Sequence, residues 1–492
     1  MNTSVIGIDV GTSGCRVVAI DTFGKVIASH SASYPLQQPQ ASWSEQNPTD
    51  WWDGVCRCLV EVRKALGDTN IAGISLCGQM HGMVALDAAN NVIRPAILWN
   101  DQRSAVECDE ITKAAGGLEQ LLSYTDNMML TGFTASKVLW YKKHEPDNFH
   151  LTRTFLNPKD YIRFLLTGVL VTDLSDASGT GLFDVSRRSW AWELIDRCGF
   201  SRELFPDCLE SVEQAGVITA SVAAQTGIPP GAPVYAGGGD AVLSTLAMGL
   251  VDSDAVGITL GTSGVVAAAL PGYTSNPGGL LQVCCGNAEN LWVAFGCTLS
   301  AAGSYEWFRE LMGKEESYLQ LDTLAAEVPP GSEGLLFTPY LTGERCPHFD
   351  PLARGSFVGI NLAMHKGHLA RAVLEGVAFS LKQVYDLMLI SLKKTGFTEI
   401  RLAGGGAQST LWRQILADIF ATEVKTIAGS DQGGAFAAAL IAGVGAKIWS
   451  SLYEAQKLIG VANLTHPQPD NFNIYKAQYE RYCRVYEALR WI

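Results

Sequence analysis

The chain has 492 residues, of which 47% are hydrophobic and 17% charged, a globular composition with length for two or more domains. The net charge of −13, without a conspicuous Lys/Arg cluster, argues against a nucleic-acid partner. No apolar run approaches the ~18 residues that a membrane span requires, and the N-terminus shows no signal-peptide pattern. The 12 cysteines lack zinc-type spacing, so we expect free thiols and a cytoplasmic location.

The first predicted elements are three strands, at residues 5–10, 15–20 and 26–29, joined by short turns. The glycine turn at residues 11–14 therefore connects two strands in a hairpin. A P-loop would need Gly-Lys-Ser/Thr, and a dinucleotide-binding turn would open into a helix. Both of these phosphate-binding classes are excluded.

The hairpin sequence at residues 7–14 occurs almost twice, because six of its eight positions are identical at residues 257–264. Glycines and hydroxyls in such a turn direct N–H and O–H groups to one point, which suits an anion. The two copies predict two half-domains that hold a polyphosphate from both sides. They differ at Asp9, where the second copy has Thr259, so we expect Asp9 to serve Mg²⁺. The alternative is a hairpin turn without a ligand.

A predicted helix at residues 50–66 leads to a strand at residues 71–76, which ends in Gln79, Met80 and His81. Ligands of open α/β sheets lie beyond the carboxyl ends of strands, and a histidine beside an amide can donate to a polyol. The alternative is a loop histidine whose hydrogen bonds are satisfied within the protein. Next, residues 99–103 combine an aromatic face, a carboxylate and a guanidinium, which suits a sugar. The alternative is a surface loop with an Asp–Arg pair.

A strand at residues 234–236 runs into three glycines, Asp240 and a helix at residues 241–250. At a helix N-terminus the dipole would keep the Asp240 carboxylate ionised and able to accept a hydroxyl proton. Three glycines exceed what a helix cap needs, so we expect a substrate or a moving domain to approach closely there. The alternative is an ordinary N-cap. A domain boundary near residue 250 divides the chain into residues 1–250 and 251–492.

Another strand, at residues 400–403, ends in Gly404, Gly405 and Gly406 ahead of a helix. Bare backbone would let a flat purine approach, whereas the alternative is close packing of strand on helix. About the last 50 residues are expected to be mostly helix and loop.

Two long patterns, at residues 132–140 and 355–375, resemble those of the FGGY carbohydrate kinases within the sugar kinase/hsp70/actin superfamily. The resemblance covers roughly residues 6–440. It implies an α/β fold of two actin-like, ribonuclease H-like domains with an interdomain cleft. The implied activity is transfer of the γ-phosphoryl of MgATP to a terminal hydroxyl of a ketopentose, with ATP and Mg²⁺ as cofactors and a possible homodimer.

The resemblance also implies roles for individual residues. Asp240 is the catalytic base, and Asp9 serves the metal. Met80 and His81 are implied to contact the sugar, and the residue patterns described above add Gln79, Trp99, Asp101 and Arg103 to the predicted sugar-binding residues. The implied ATP-binding residues are Asp9, Gly11, Thr12, Ser13, Arg16, Gly261, Thr262, Gly404, Gly405 and Gly406.

Shorter motifs, including Gly343-Glu344-Arg345, are similar to those of family members that phosphorylate xylulose. They imply D-xylulose as the substrate and D-xylulose 5-phosphate as the product, but they give Glu344 and Arg345 no assigned role. Those members usually carry Asn directly after the base, where this chain has Ala241. The open alternatives are another sugar or polyol, such as L-xylulose, ribulose or a deoxy-ketose, or a nucleotide-dependent interaction or regulatory protein.

Overall fold

The computed structural model describes residues 3–252, 254–428 and 433–491. Its strands are β1 (Thr3–Val10), β2 (Gly14–Asp21), β3 (Val26–Ser33), β4 (Glu45–Gln46), β5 (Asn70–Gly78), β6 (Val84–Leu86), β7 (Ala96–Ile97), β8 (Thr154–Leu156), β9 (Thr172–Asp173), β10 (Phe183–Asp184), β11 (Ser189–Trp190), β12 (Cys208–Leu209), β13 (Gln214–Val217), β14 (Pro233–Tyr235), β15 (Gly238–Gly239), β16 (Ala255–Leu260), β17 (Gly264–Leu270), β18 (Gln282–Cys285), β19 (Trp292–Thr298), β20 (Leu336–Thr338), β21 (Ser356–Val358), β22 (Glu399–Ala403), β23 (Glu423–Ile427) and β24 (Val461–Thr465).

Its α-helices are α1 (Pro48–Leu66), α2 (Ala105–Ala115), α3 (Leu118–Thr125), α4 (Thr134–His144), α5 (Pro146–Leu151), α6 (Pro158–Thr167), α7 (Leu174–Ser178), α8 (Trp192–Arg197), α9 (Ala220–Thr226), α10 (Asp240–Ala247), α11 (Ala302–Leu311), α12 (Tyr318–Ala326), α13 (Lys366–Leu392), α14 (Thr410–Phe420), α15 (Gly433–Gly445), α16 (Leu452–Ala455) and α17 (Phe472–Leu489). Within the described part of the chain, none of them has the length and apolar character of a membrane span.

The chain forms two compact units, neither of which is continuous in sequence. The first unit comprises Met1–Val251, Leu270–Val293 and Gln432–Ile459, and the second comprises Asp252–Ala269, Ala294–Asp431 and Gly460–Ile492. The division into domains at residues 1–250 and 251–492 stays a prediction.

The central sheet of the first unit has the strand order β13-β14-β5-β1-β2-β3, with β15 also paired to β5. The hairpin partners β1 and β2 are antiparallel, whereas β1 and β5 are parallel. Helix α15 packs closely on β1 and β5 because the residues on both contacting surfaces have small side chains. A Cβ atom at Gly7 would lie 1.8 Å from the carbonyl oxygen of Ala435, so the alanine-rich helix requires glycine at this position.

Helix α1 shows how local sequence sets the ends of an element. Asn47 caps its N-terminus by accepting a hydrogen bond from Thr49 N, and Pro48 occupies the first helical position. Its apolar face, which includes Trp51 and Leu59, is fully buried in the core of the first unit. The helix predicted at residues 50–66 is therefore confirmed, with its start two residues earlier.

The second unit repeats the local topology of the first. Its β16 and β17 form an antiparallel hairpin, and β22 runs parallel to β16, as β5 does to β1. The sheet continues through β23 to the antiparallel edge strand β24. The expectation that the last ~50 residues are mostly helix and loop is confirmed, and β24 is the one strand among their described residues. Its sequence, Val-Ala-Asn-Leu-Thr, is mostly exposed and lacks the alternation that marks a half-buried strand.

The pattern at residues 355–375 supports the second unit from within. Its last residue, Glu375, lies buried on α13 and accepts hydrogen bonds from Arg371 Nε at 2.7 Å, Gly331 N at 2.9 Å and Tyr475 Oη at 3.0 Å. A buried carboxylate with this many donors stabilises the packing of helix α13. Glu375, the last residue of this pattern, therefore stabilises the fold.

Candidate active site

The first glycine turn closes the β1–β2 hairpin, as the sequence predicts. Its carbonyl oxygens accept hydrogen bonds from the protein. The Gly11 carbonyl accepts from Tyr34 Oη at 2.5 Å, and the Thr12 carbonyl accepts from Gln46 Nε2 at 2.7 Å. The Ser13 carbonyl accepts from Tyr34 N at 3.4 Å, while the Ser13 residue is exposed. Since the acceptors of the turn are occupied, its exposed side suits an anion.

The second turn, between β16 and β17, uses its carbonyl oxygens in the same way. The Gly261 carbonyl accepts from Ala302 N at 2.8 Å, and the Thr262 carbonyl accepts from Ala301 N at 2.8 Å. The Ser263 carbonyl accepts from Gly261 N at 3.1 Å, whereas the Thr262 and Ser263 residues are exposed. The repeat in sequence is therefore a repeat in structure, down to the role of the carbonyl groups.

Gln79 lies beneath the first turn, and its side chain is fully buried. Its amide nitrogen donates to Gln46 Oε1 at 3.1 Å and to the Gly11 carbonyl at 3.4 Å. The Thr12 hydroxyl donates to Gln79 Oε1 at 3.2 Å and accepts from Trp99 Nε1 at 2.9 Å. The structure thus connects Gln79 to the turn rather than to an open sugar surface. Trp99, 44% exposed, lies beside the turn.

Asp101 and Arg103 form a buried ion pair. Asp101 accepts from Arg103 Nη2 at 2.7 Å and from Ser44 N at 2.6 Å, and its side chain is fully buried. The Arg103 side chain is 1% exposed and lies 2.7 Å from Glu45 Oε1, with its guanidinium carbon 3.6 Å from the Trp43 ring centroid. The Asp–Arg pair of the alternative interpretation is therefore present, but it is buried instead of lying on the surface.

Met80 and His81 lie at the carboxyl end of β5. His81 has a left-handed backbone, with φ +68°, and its carbonyl accepts from the buried Lys137 Nζ at 3.1 Å. The His81 Nδ1 donates to the Gly179 carbonyl at 2.6 Å, so a neutral ring presents Nε2 as an acceptor. The role of His81 as a donor to a polyol stays a prediction. Burial lowers the pKa of Lys137, the lysine of the pattern at residues 132–140, to about 7.

Asp240 is the first residue of α10, with Gly239 at the cap position. Its Oδ1 accepts from Ala241 N at 2.7 Å, and the residue is half-buried. Burial, followed by the charge of Asp9, raises the pKa of Asp240 to about 7, although N–H groups that include Met80 N oppose the rise. The N–H groups at the helix start therefore favour the ionised carboxylate, as expected, but burial outweighs them. A carboxyl group that titrates near neutrality is matched to proton acceptance at physiological pH.

Asp9 has a buried oxygen, Oδ1, that lacks a hydrogen-bond partner among the described residues. Burial raises the pKa of Asp9, against the opposing effects of the Cys77 thiol and of Arg16, its partner across the hairpin. The N-terminus of α15 approaches closely, since a Cβ at Gly434 would lie 3.0 Å from Asp9 Oδ2. An unpaired carboxylate oxygen is the kind of ligand that Mg²⁺ and its waters take, so Asp9 fits the predicted metal role.

The three glycines before Asp240 are required by the protein itself. Gly237 has φ +79°, and a Cβ there would lie 2.0 Å from the Leu76 carbonyl oxygen. A Cβ at Gly239 would lie 2.4 Å from Met80 Cγ, and Gly238 is similarly crowded. This corrects the expectation that an approaching substrate or domain explains the glycines. Their absent side chains allow β15 to pack on the end of β5.

The second unit contains a cavity of about 570 Å³, a size typical of small-molecule sites. It brings together the second turn and the glycine run that were predicted separately. The lining residues are Leu260, Gly261, Thr262, Ala302, Gly303, Tyr305, Glu306, Tyr318, Leu319, Asp322, Gly405, Gly406, Gln408, Ser409 and Trp412.

The three glycines at residues 404–406 differ in how closely neighbouring atoms surround them. A Cβ at Gly404 would lie 2.4 Å from the Leu260 carbonyl oxygen, and one at Gly406 would lie 2.9 Å from Leu260 Cβ. A Cβ at Gly405 would have no neighbour within 4 Å. Strand–helix packing therefore explains the outer glycines, whereas Gly405 provides bare backbone at the cavity.

The cavity also has polar residues that the sequence analysis missed. Asp322 accepts from Tyr305 Oη at 2.9 Å and from Ser409 Oγ at 2.6 Å. Ser409 caps α14 and could have been found as a capping residue that follows the glycine run. Asp322 lies inside helix α12, where its sequence carries no comparable signal.

Glu344, which had no assigned role, supports the second turn indirectly. Its Oε1 accepts from Leu299 N at 2.8 Å and from Arg345 N at 2.7 Å, and burial raises the pKa of Glu344 to about 7. Leu299 begins the short segment whose Ala301 N and Ala302 N hold the carbonyls of the second turn. The Glu344 carboxyl therefore fixes the loop on which that turn rests.

Comparison with known proteins agrees with this arrangement. Residues 4–247 match the N-terminal domain, and residues 256–446 the C-terminal domain, of the FGGY family of carbohydrate kinases. The chain is 38% identical over 485 residues to the xylulose kinase of Bacillus subtilis (strain 168), covering 98% of this chain and 96% of that protein. The crystal structure of ligand bound xylulose kinase from Lactobacillus acidophilus superimposes with a TM-score of 0.94 at 28% identity, covering 99% and 98% of the two chains. Gluconate kinase from the same organism gives 0.93 at 28% identity, with the same coverage.

The chain belongs to the FGGY family of carbohydrate kinases. The resemblance, and with it the two-domain α/β fold of the actin-like superfamily, is confirmed. A sugar and ATP are therefore its substrates, and the alternative of a nucleotide-dependent interaction protein is not favoured.

Proposed function

We propose that this chain transfers the γ-phosphoryl group of ATP to the terminal hydroxyl of D-xylulose, forming D-xylulose 5-phosphate. The observation that carries the proposal is the half-buried Asp240, whose carboxyl group titrates near neutrality at the end of β5 beside Met80. Full-length similarity to xylulose kinases supports the choice of sugar.

The proposed chemistry requires little covalent work from the protein, since phosphoryl transfer depends on positioning and electrostatics. Asp240 orients the terminal hydroxyl and accepts its proton. Met80, which is buried, packs beside Gly239 just before the base, His81 follows it in the chain, and Trp99 provides an exposed aromatic face. We assign Gln79, Asp101 and Arg103 to the support of this surface, because their side chains are buried.

ATP-binding residues are proposed in each unit separately. In the first unit, Gly11, Thr12 and Ser13 offer the anion-facing side of the hairpin, and Arg16 adds a positive charge on the same strands. In the second unit, Gly261 and Thr262 offer the equivalent turn. The cavity lined by Gly405 and Gly406 has the size, and at Gly405 the bare backbone, that suit the adenosine, whereas Gly404 packs against Leu260.

We propose that Asp9 holds Mg²⁺ through its unpaired Oδ1. When bound there, the ion would supply positive charge that offsets the negative charge of the phosphates during transfer. The contribution of the chain is a buried carboxylate that the helix N-terminus at Gly434 keeps in place.

A panel of sugars tests the proposed substrate. Kcat/KM is measured by ADP release with D-xylulose, L-xylulose, D-ribulose, 1-deoxy-D-xylulose and D-gluconate. We expect kcat/KM for D-xylulose to exceed that for each other sugar by at least about 10-fold, since a lost or misplaced hydrogen bond lowers kcat/KM by this much or more. Ala241→Asn, which restores the amide usual in xylulose-phosphorylating members, should lower the KM for D-xylulose about 3- to 10-fold. Preference for another member of the panel would replace D-xylulose in the proposal.

The activity should depend on pH around neutrality. Because Asp240 must be ionised to accept a proton and burial raises its pKa to about 7 in the metal-free protein, kcat/KM for the sugar should fall about tenfold per pH unit below the pKa of Asp240 with MgATP bound. The measurement is a profile from pH 5 to 8.5 at saturating MgATP. Re-assay at pH 8 after each incubation controls for unfolding. A profile that stays level down to pH 5 would place the titration of the base in the ordinary carboxyl range and contradict this expectation.

A further inference from the structure

Five charged side chains form a buried cluster in the first unit, apart from the residues assigned above. Lys159 Nζ lies 2.5 Å from Asp160 Oδ1, 2.5 Å from Asp173 Oδ2 and 3.2 Å from Asp176 Oδ2. Arg163 Nη2 lies 2.9 Å from Asp160 Oδ1. All five side chains are completely shielded from solvent.

The cluster is neither a vacant metal site nor an obvious source of stability. Asp160, Asp173 and Asp176 are close enough together to ligate a cation, but the ammonium group of Lys159 already lies among them. Burial raises the pKa of Asp176 well above its usual range, although the charge of Lys159 opposes the rise. Buried ion networks are costly to desolvate and are weak evidence for stability, which suggests another role.

The cluster is linked by hydrogen bonds to both ends of the glycine segment that precedes Asp240, at Ala236 and at Gly239. Arg163 Nη1 donates to the Ala236 carbonyl at 2.6 Å, just before the three glycines. At the other end, Gly239 N donates to Ser175 Oγ at 3.1 Å, and that hydroxyl donates to Asp173 Oδ1 at 2.5 Å. The glycine segment is thus held by hydrogen bonds that the ion cluster orients.

We propose that Lys159, Arg163, Asp173 and Ser175 form a clamp that positions the Asp240 carboxylate for proton transfer. The inference rests on the proposed function, in which Asp240 is the base. Ser175 is the critical link. Its hydroxyl donates a hydrogen bond to Asp173, and this orients an oxygen lone pair toward Gly239 N. These residues act through the backbone and are positioning residues rather than catalytic ones.

The physical reason is that glycine backbone is intrinsically permissive, whereas a general base must be placed accurately. Misplacement of a reacting group by about 1 Å can lower a rate about 100-fold. Without the Ser175 hydroxyl, Gly239 N loses its partner and the carboxylate of the next residue can shift. The sugar-facing residues Met80 and His81 and the glycine turns are untouched, so the binding of both substrates should persist.

The experiment compares two serines on helix α7. Ser175 and Ser178 are both buried, and each hydroxyl donates one hydrogen bond and accepts one from a backbone N–H at 3.1 Å. The Ser178 hydroxyl accepts from Cys285 N instead of Gly239 N. Ser175→Ala should lower kcat about 10- to 100-fold, with both KM values within about twofold of wild type. Ser178→Ala should lose similar thermal stability but keep kcat within about twofold.

Equal kcat values for the two alanine variants would overturn the clamp. Ser175→Cys provides a second variant of nearly the same shape, whose sulfur is a weak acceptor, and it should also lose kcat if Ser175→Ala does not fold. Asp240→Asn is measured in parallel. Full turnover in that variant would overturn the assignment of the base, and the clamp with it. An inactive Asp240→Asn beside a fully active Ser175→Ala would overturn the clamp alone.

Discussion

Asp240→Asn is expected to lower kcat about 10²- to 10⁴-fold while leaving the affinity for ATP within about twofold of wild type. Asparagine has nearly the same shape and can still accept the hydrogen bond from Ala241 N, but it cannot accept a proton. The loss should therefore appear in the chemical step. Initial rates of sugar phosphate formation give kcat, and calorimetric titration with ATP gives the affinity.

A matched control is Asp87→Asn, in the same unit. Asp87 Oδ1 accepts from Ala89 N at 2.8 Å and from Asn91 N at 2.8 Å in an exposed turn, so it also accepts backbone hydrogen bonds near a chain reversal. Its substitution should leave kcat within about twofold. Retention of more than about a tenth of the wild-type kcat in Asp240→Asn would show that another group accepts the proton.

Asp9→Asn is expected to have opposite effects on activity and stability. Burial raises the pKa of Asp9, so its charged form is unfavourable in the folded protein at neutral pH. Removing the charge should raise Tm in metal-free buffer by about 2–4 °C at pH 8. The gain should shrink as pH falls, because wild-type Asp9 then becomes protonated. The loss of a metal ligand should lower kcat/KM about 10²- to 10³-fold.

The measurements are thermal unfolding with and without Mg²⁺ and ATP, and kinetics over a range of Mg²⁺ concentrations. MgATP should stabilise the wild type markedly and Asp9→Asn weakly. Asp21→Asn, at the far end of the same hairpin, provides the control, since Asp21 Oδ1 accepts from Phe23 N at 2.9 Å and from Lys25 N at 3.0 Å. An Asp9→Asn variant with unchanged Mg²⁺ dependence would remove Asp9 from the metal site.

The sequence predicts the local hairpins because their information is local. The glycine turn at residues 11–14 connects two apolar strands, and its near-copy at residues 257–264 does the same, so both structures follow from short segments. The sequence also indicates a functional role for Asp240, because a carboxylate that follows three glycines at the start of a helix is not a typical core residue.

Side-chain direction and long-range packing are where prediction from sequence stops. Gln79 and Arg103 have polar side chains near strand ends, yet they point into the protein because of partners at Gln46 and Glu45. The approach of Gly434 to Asp9 joins residues more than 400 positions apart, which no local pattern encodes. The rise in the pKa of Asp240 likewise depends on burial, a property of the assembled fold.

The most direct test of the central claim is ³¹P NMR of a reaction that contains the chain, MgATP and D-xylulose. The account predicts a new phosphomonoester resonance that grows in equal amount to the ADP formed, and growth of both products at least about 100-fold slower when Asp240→Asn replaces the wild type. ADP that accumulates with inorganic phosphate instead, at a rate that does not depend on the sugar, would contradict it.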